Sequence, residues 1–256
     1  MYIDLEQFML FLLITLRMTG MFVTNPIFGR RNIPPVLGIG ISLMIGAMLY
    51  SSMTFAPLPE LNLLSFIFMA LMEFSVGFAA GIVMQLFLAI LIIGGEVIDM
   101  QLGLGMAKIF DPGTNASVSL TANMLNALFI LVFFVTNNHL TLIYMTAQTF
   151  NIIPVGTVGI SPAALYYLPN LFSSIMIFAI KLCIPLIVIE VIVTMVVGII
   201  MRIIPQINIF VLSIQFKLIV GIFALFILVG PFMAYFENLL IICFERVQEV
   251  WLYFVV

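Results

Sequence analysis

The sequence of 256 residues is 64% hydrophobic and 7% charged, with 11 acidic residues against 8 basic ones and a net charge of −3. Soluble globular domains are about half apolar and one quarter charged, so the composition excludes such a domain, and the thinly spread charge excludes a basic surface for nucleic acid. Several apolar runs reach the roughly 20 residues that a helix needs to cross a bilayer, and none shows the period-two alternation of a membrane β-barrel. The sequence therefore predicts an all-α, polytopic membrane protein.

Six long apolar segments follow one another between turn-forming stretches. In chain order they are predicted at Leu5–Val23, Val36–Phe55, Leu61–Gly94, Ala122–Val135, Leu165–Met201 and Ile207–Phe244. The third is longer than one perpendicular crossing requires, so we expect it to tilt, bend or project from the membrane. Pro185 removes one intrahelical hydrogen bond and predicts a kink in the fifth segment, and Pro231 lies inside the sixth. The expected architecture is a set of long, kinked helical hairpins.

The positions of the basic residues predict how the chain crosses the membrane. Arg30, Arg31, Lys108 and Arg202 lie in loops that share one side if the N-terminus is outside, as the positive-inside rule requires. This arrangement has six crossings, both termini outside, and an outer, partly interfacial connection at 140–170. The short run Leu140–Phe150 within that connection is the alternative, because it could itself be a crossing.

We expect one membrane domain, residues 1–256, without a soluble domain. It divides into an N-terminal helical body at 1–139, which includes the loop at 103–117, the outer connection (a hairpin or loop) at 140–170 and a long C-terminal helical hairpin at 171–256.

Five of the ionisable residues inside the apolar segments are candidate functional residues. They are Arg17, Glu73, Lys181, Glu190 and Lys217. Each costs on the order of 2.5–3.5 kcal/mol at the centre of a membrane helix, so each needs a partner or water. Glu190 and Lys217 flank the turn at 202–206 at comparable distances and could pair across the last hairpin. Structural pairing or burial against a partner subunit is the favoured interpretation, and a proton or ion relay is the alternative.

The motif "GFAAG" places Gly77 and Gly81 four residues apart in the third segment. In lipid, small residues at this spacing let two helix backbones approach closely. The partner helix belongs either to another subunit or to this same chain, and the motif does not distinguish between them.

The chain lacks the residue patterns of the common catalytic and metal sites. Its single histidine, His139, lies in a polar turn without a nucleophile nearby, and Cys183 and Cys243 lie in apolar runs without partner spacing. No HExxH, GxSxG or phosphate-loop pattern occurs. We therefore expect a protein that is not an enzyme, with no cofactor and no metal.

The stretch Gly94–Ser117 differs from the rest of the chain in its charges and glycines. Glu96, Asp99 and Gly103 share one helix face, which predicts that the third helix continues about two turns past Gly95. Glycines then weaken the helix, the sequence "DPG" favours a turn, and Asn115 or Ser117 could cap the next helix.

The segment after this helix end is strongly apolar. Its large apolar side chains are Leu102, Leu104, Met106, Ile109 and Phe110. A plain exposed connector would not carry them, so we expect this loop to pack into a cavity or a pore.

Three long stretches together resemble one protein family. They are "GEVIDMQLGLGMAKIFDPG", "HLTLIYMTAQTFNIIPVG" and "GIIMRIIPQINIFVLSIQFKL", preceded by a first-loop pattern of Arg17, Gly20, Pro26, Phe28, Gly29 and Pro34. These stretches resemble the flagellar biosynthetic protein FliR family, which is also the family of the corresponding export subunit of virulence type III secretion systems. The matches extend from Arg17 to about Lys217.

The resemblance implies a subunit of a bacterial protein-export gate in the inner membrane, at the flagellar basal body. Its implied partners are two smaller families of integral membrane gate subunits in several copies each, a larger gate subunit, unfolded protein substrates and membrane lipid, but no nucleic acid. The family's glycine-rich loop forms a plug in the closed pore. Carried over here, the plug comprises Gly103, Gly105, Met106, Ile109, Phe110, Asp111, Pro112 and Gly113.

The chain departs from the family pattern at two places. Asn137 and Asn138 precede His139 where a small residue is expected, and Glu190 occupies a position that is usually uncharged.

A secondary transporter that uses Glu73, Lys181 and Glu190 as its coupling site is the alternative function. Such transporters have repeats with interrupted helices in matching positions, and the sequence shows none.

Overall fold

The computed structural model describes residues 5–30, 34–55, 62–104, 119–204 and 209–255. The described residues form seven α-helices and no strand, as the composition predicted. In chain order the helices are α1 (Leu5–Thr24), α2 (Pro35–Ser52), α3 (Leu63–Gln101), α4 (Leu120–Val135), α5 (Asn138–Ile152), α6 (Ala164–Ile203) and α7 (Ile209–Leu252).

The long helices confirm most of the predicted segments. Helix α3 runs for 39 residues and ends at Gln101, two turns beyond Gly94, as its polar face predicted. Helix α6 continues through Pro185 and α7 through Pro231. Helix α7 also extends past the predicted end at Phe244 to Leu252.

The extension of α7 has a simple physical reason. Glu245, Arg246 and Glu249 are at least partly exposed, whereas Val247, Val250 and Trp251 on the other side are buried. Charged residues at helical spacing therefore continue an amphipathic helix here rather than ending the apolar run.

Helices α4 and α5 are separate elements that meet at a sharp bend of 68°. The bend occurs at Asn137, whose φ of 56° is the left-handed backbone conformation. Asparagine and glycine adopt this conformation most readily, which explains why asparagine can replace the small residue expected before His139.

The cap of α4 corrects another expectation: Ser119, not Asn115 or Ser117, accepts the capping hydrogen bond, from Ala122 N.

Among the described residues, five helices are long and apolar enough to cross a membrane, and the bent pair α4–α5 adds a sixth span if the two helices cross together. The chain is therefore a polytopic membrane protein, and the orientation of its crossings stays a prediction.

The chain folds into two compact units, each built from segments that are distant in sequence. Unit 1 comprises Met1–Phe87, Asn137–Phe172 and Leu240–Val256, and unit 2 comprises Leu88–Thr136 and Ser173–Leu239. Each unit takes segments from both sides of the 140–170 connection, and the predicted three-part division stays a prediction.

Unit 1 is held together by contacts between distant segments. The indole Nε1 of Trp251 donates to Val76 O at 3.2 Å, and the Tyr167 hydroxyl donates to Arg246 O at 2.7 Å. In unit 2, the rings of Phe129 and Phe236 meet edge to face with centroids 5.7 Å apart. The last turn of α7 thus completes the core of unit 1.

Candidate functional site

Two groups of polar residues lie within the apolar helices, one in each unit. In unit 1 they surround Arg17. In unit 2 they comprise Glu190 and the residues on either side of the glycine-rich loop, among them Asp99.

Arg17 and Glu73 form a fully buried ion pair in unit 1. Arg17 Nε donates to Glu73 Oε2 at 2.7 Å, and both side chains are 0% exposed. The two remaining guanidinium nitrogens donate to Thr149 Oγ1 at 3.1 Å and to Ile153 O at 3.0 Å. The guanidinium carbon also lies 4.2 Å from the centre of the Phe150 ring. Each guanidinium nitrogen therefore has a partner.

The other carboxylate oxygen of Glu73 is also bonded. Glu73 Oε1 accepts from Gly156 N at 2.8 Å, where Gly156 has a φ of 83° that favours glycine. The pair therefore joins α1 and α3 to the end of α5 and the turn that follows it. Neither charge is left to bind a transported ion.

The GFAAG motif lets α1 and α3 come close enough for this pair to form. A Cβ at Gly77 would overlap Arg17 O, and one at Gly81 would lie 2.7 Å from Thr24 Cβ. On the opposite helix, a Cβ at Gly20 would lie 3.0 Å from Phe78 N. The structure thus has this small-residue face packed against α1 of the same chain.

Lys181 is exposed on α6, with its Nζ 5.7 Å from the centre of the Phe178 ring. It belongs to unit 2, and the structure does not place it in a cluster with Glu190.

Glu190 is a buried carboxylate in unit 2. Its side chain is 0% exposed, and neither carboxylate oxygen has a hydrogen-bond partner among the described residues. The described part of the chain contains no ion pair within 4.0 Å between Glu190 and Lys217, which were expected to be able to pair. A Cβ at Gly221 would lie 2.7 Å from Glu190 Oε1, so the carboxylate occupies a notch that only glycine provides.

Residues 105–118, between α3 and α4, lie outside the described residues, so most of the predicted plug does too. The residues concerned are Gly105, Met106, Ile109, Phe110, Asp111, Pro112 and Gly113. Gly103 is described: its φ of 78° ends α3 in a left-handed conformation.

The residues that flank this loop are held in place by unit 2. Leu102 is 1% exposed and packs against the bare backbone of Gly221 on α7. At the other end, both carboxylate oxygens of Asp99 accept from the first backbone amides of α4, those of Leu120 and Thr121. The end of α3 and the first turn of α4, which flank residues 105–118, are therefore both held by contacts within unit 2.

The described residues do not bring metal ligands together: no three His, Cys, Asp or Glu side chains among them could share an ion.

Comparison with known proteins identifies relatives over nearly the whole chain. Residues 8–241 match the family described as bacterial export proteins, family 1. The flagellar biosynthetic protein FliR of Escherichia coli (strain K12) is 30% identical over 220 residues, which are 85% of this chain and 84% of that protein. FliR of Bacillus subtilis (strain 168) is 26% identical over 96% of each chain, and FliR of Aquifex aeolicus (strain VF5) is 27% identical over 86% and 85%.

Proposed function

Because this chain belongs to the bacterial export proteins, family 1, the family of the flagellar biosynthetic protein FliR, we propose that it is a non-enzymatic core subunit of the flagellar export gate, whose glycine-rich loop closes the pore. The family places the chain in the flagellar export apparatus, in the bacterial inner membrane. Its role in lining and closing the pore is the proposal.

The frame of the glycine-rich loop is the observation that carries the proposal. Helices α3 and α4 are anchored on either side of it, by Leu102 against Gly221 and by Asp99 at the first turn of α4. The sequence between them combines glycines with Met106, Ile109 and Phe110. Apolar side chains exclude ions and water, and glycines allow the backbone to rearrange. Both properties suit a plug that seals a pore and yields to a substrate.

Exposed apolar helix faces support the proposal of membrane-embedded partners. Large apolar side chains are exposed along α2, α6 and α7. In the most apolar stretch of each helix, only 17%, 28% and 22% of the residues, respectively, are buried within the chain. Such faces require lipid or other membrane helices. We propose that several copies of two smaller membrane subunits and one larger gate subunit cover part of them, around a pore for unfolded substrates.

Deletion of Gly105–Asp111 tests the plug. We expect the deletion to raise ion conductance through the assembled gate, because the apolar seal is lost. The control replaces the same seven positions with an equally long Gly-Ser segment, which keeps the loop length and should leak as well. A variant gate that assembles normally and stays as tight as the parent would contradict the plug assignment.

A second candidate function, a secondary proton- or ion-coupled transporter, is favoured by one observation. Glu190 is a buried carboxylate without a hydrogen-bond partner among the described residues, and ionisable residues inside membranes often mark ion pathways. Glu73, which the same hypothesis requires, is already bonded to Arg17 and Gly156. Proton-coupled uptake into proteoliposomes that Glu190→Gln abolishes would support the transporter. If neither the parent nor Glu190→Gln showed proton-coupled uptake, the transporter hypothesis would be rejected.

A further inference from the structure

Asp99 lies on α3 within one turn of its end, and its side chain is 2% exposed. Its Oδ2 accepts from Leu120 N at 2.9 Å and its Oδ1 from Thr121 N at 3.2 Å. No described cation forms an ion pair with it. The two amides, together with the positive end of the α4 dipole, therefore compensate the carboxylate.

These two hydrogen bonds complete the cap of α4. The first amides of a helix have no partner within the helix, and a serine cap satisfies one of them. Here Ser119 Oγ accepts from Ala122 N at 3.0 Å, and Asp99 takes the amides of Leu120 and Thr121. The cap of α4 is thus divided between its own chain segment and α3.

A steric contact one turn earlier on α3 reinforces this connection. Gly95 precedes Asp99 by four residues and so lies on the same helix face. The backbone of Ala122 packs directly on Gly95, where any Cβ would overlap it. Two contacts therefore fix the position of the first turn of α4 along α3: the close packing of Ala122 on Gly95 and the hydrogen bonds to the Asp99 carboxylate.

We propose that Asp99 is the positioning residue of the glycine-rich loop: by binding the first turn of α4 it sets the separation of the two ends of the loop. This inference rests on the proposed function, in which the loop closes the pore. Breaking the Asp99 bonds would loosen the seal although the loop sequence is intact.

Asp99→Ala is the primary test. It removes both acceptors, and losing hydrogen bonds to a charged group should raise the leak of the closed gate at least about tenfold. Asp99→Asn keeps one acceptor oxygen and should restore part of the seal. Glu96→Ala is the matched control, because Glu96 lies three residues earlier on α3 but is exposed, and we expect it to leave the leak unchanged.

Leu120→Pro tests the same bond from the other side. Proline lacks the backbone N–H that donates a hydrogen bond to Asp99 at this position, yet it is well tolerated at the first position of a helix. The preceding residue, Ser119, has a ψ of 129°, which suits a residue before proline, and the Leu120 side chain is 70% exposed. The variant should fold and leak more than the parent. It should add little to the leak of Asp99→Ala, because that variant has already lost the hydrogen bond from Leu120 N.

Amide hydrogen exchange separates positioning from general stability. In Asp99→Ala we expect faster exchange at Thr121 but unchanged exchange in the middle of α4, at residues 128–132. Equal leak in the parent, Asp99→Ala and Leu120→Pro would overturn the inference. If the loop deletion leaks while these variants do not, only the role of Asp99 is wrong; if the deletion itself stays tight, the proposed plug is wrong.

Discussion

Glu73 and Glu190 are both glutamates buried in long apolar helices, yet their surroundings are opposite. Glu73 receives a hydrogen bond on each oxygen, from Arg17 and from Gly156, whereas neither oxygen of Glu190 has a partner among the described residues. A buried charge is tolerated when it is paired and hydrogen-bonded, and is costly otherwise. The comparison indicates that the Glu73 side chain stabilises the fold of its unit, whereas the Glu190 side chain makes no hydrogen bond to a described residue.

The largest expected effect comes from breaking the pair at Arg17. Arg17→Met leaves Glu73 buried without its cation, and should lower the free energy of unfolding by about 3–5 kcal/mol. Thermal unfolding of the purified protein in detergent measures the change. Lys181→Met is the control, because Lys181 is exposed. A variant as stable as the parent would show that the pair does not hold unit 1 together.

A smaller effect is expected from separating the helices that carry the pair. Gly77→Ala places a methyl group against Arg17 O and should destabilise the protein by about 1–3 kcal/mol. Gly198→Ala is the matched control, since no described atom lies within 4 Å of a Cβ there, and it should stabilise α6 by about 1 kcal/mol. Unfolding curves that shift in the same direction for both variants would be inconsistent with a close α1–α3 contact.

The smallest effect is expected at Glu190. Glu190→Gln removes a buried charge without breaking a described hydrogen bond, so the free energy of unfolding should fall by less than about 1 kcal/mol or should rise. Glu73→Gln is the direct comparison and should destabilise strongly, because it leaves Arg17 without its counter-ion. If both glutamine variants lost stability equally, Glu190 would have a partner as strong as Arg17.

The sequence was sufficient for the helices because the bilayer imposes their length and composition. It also predicted that α3 continues past Gly95, since Glu96 and Asp99 keep helical spacing, and the resemblance to the FliR family is confirmed by the family match. The predicted end of α7 was wrong because Glu245 and Glu249 interrupt the apolar run, although they lie on one face of a longer helix.

The polar contacts could not be derived in the same way. Arg17 and Glu73 are 56 residues apart, and Arg17 and Thr149 are 132 apart. No local pattern selects such partners. Asp99 was recognisable as part of a polar helix face, but its actual partners are backbone amides of α4, which carry no signal in the sequence.

The division of unit 1 among three chain segments has a consequence for its synthesis. Arg17 and Glu73 are made early, but Gly156 follows Glu73 by 83 residues, and Trp251, which binds Val76, comes almost at the end of α7. At about 5–20 residues per second, the ribosome supplies Gly156 roughly 4–17 seconds after Glu73. During this interval the first three helices must wait in the membrane with their buried charges only partly bonded. Unit 1 is therefore an element that the cell completes last, after the segments of unit 2 have already been made.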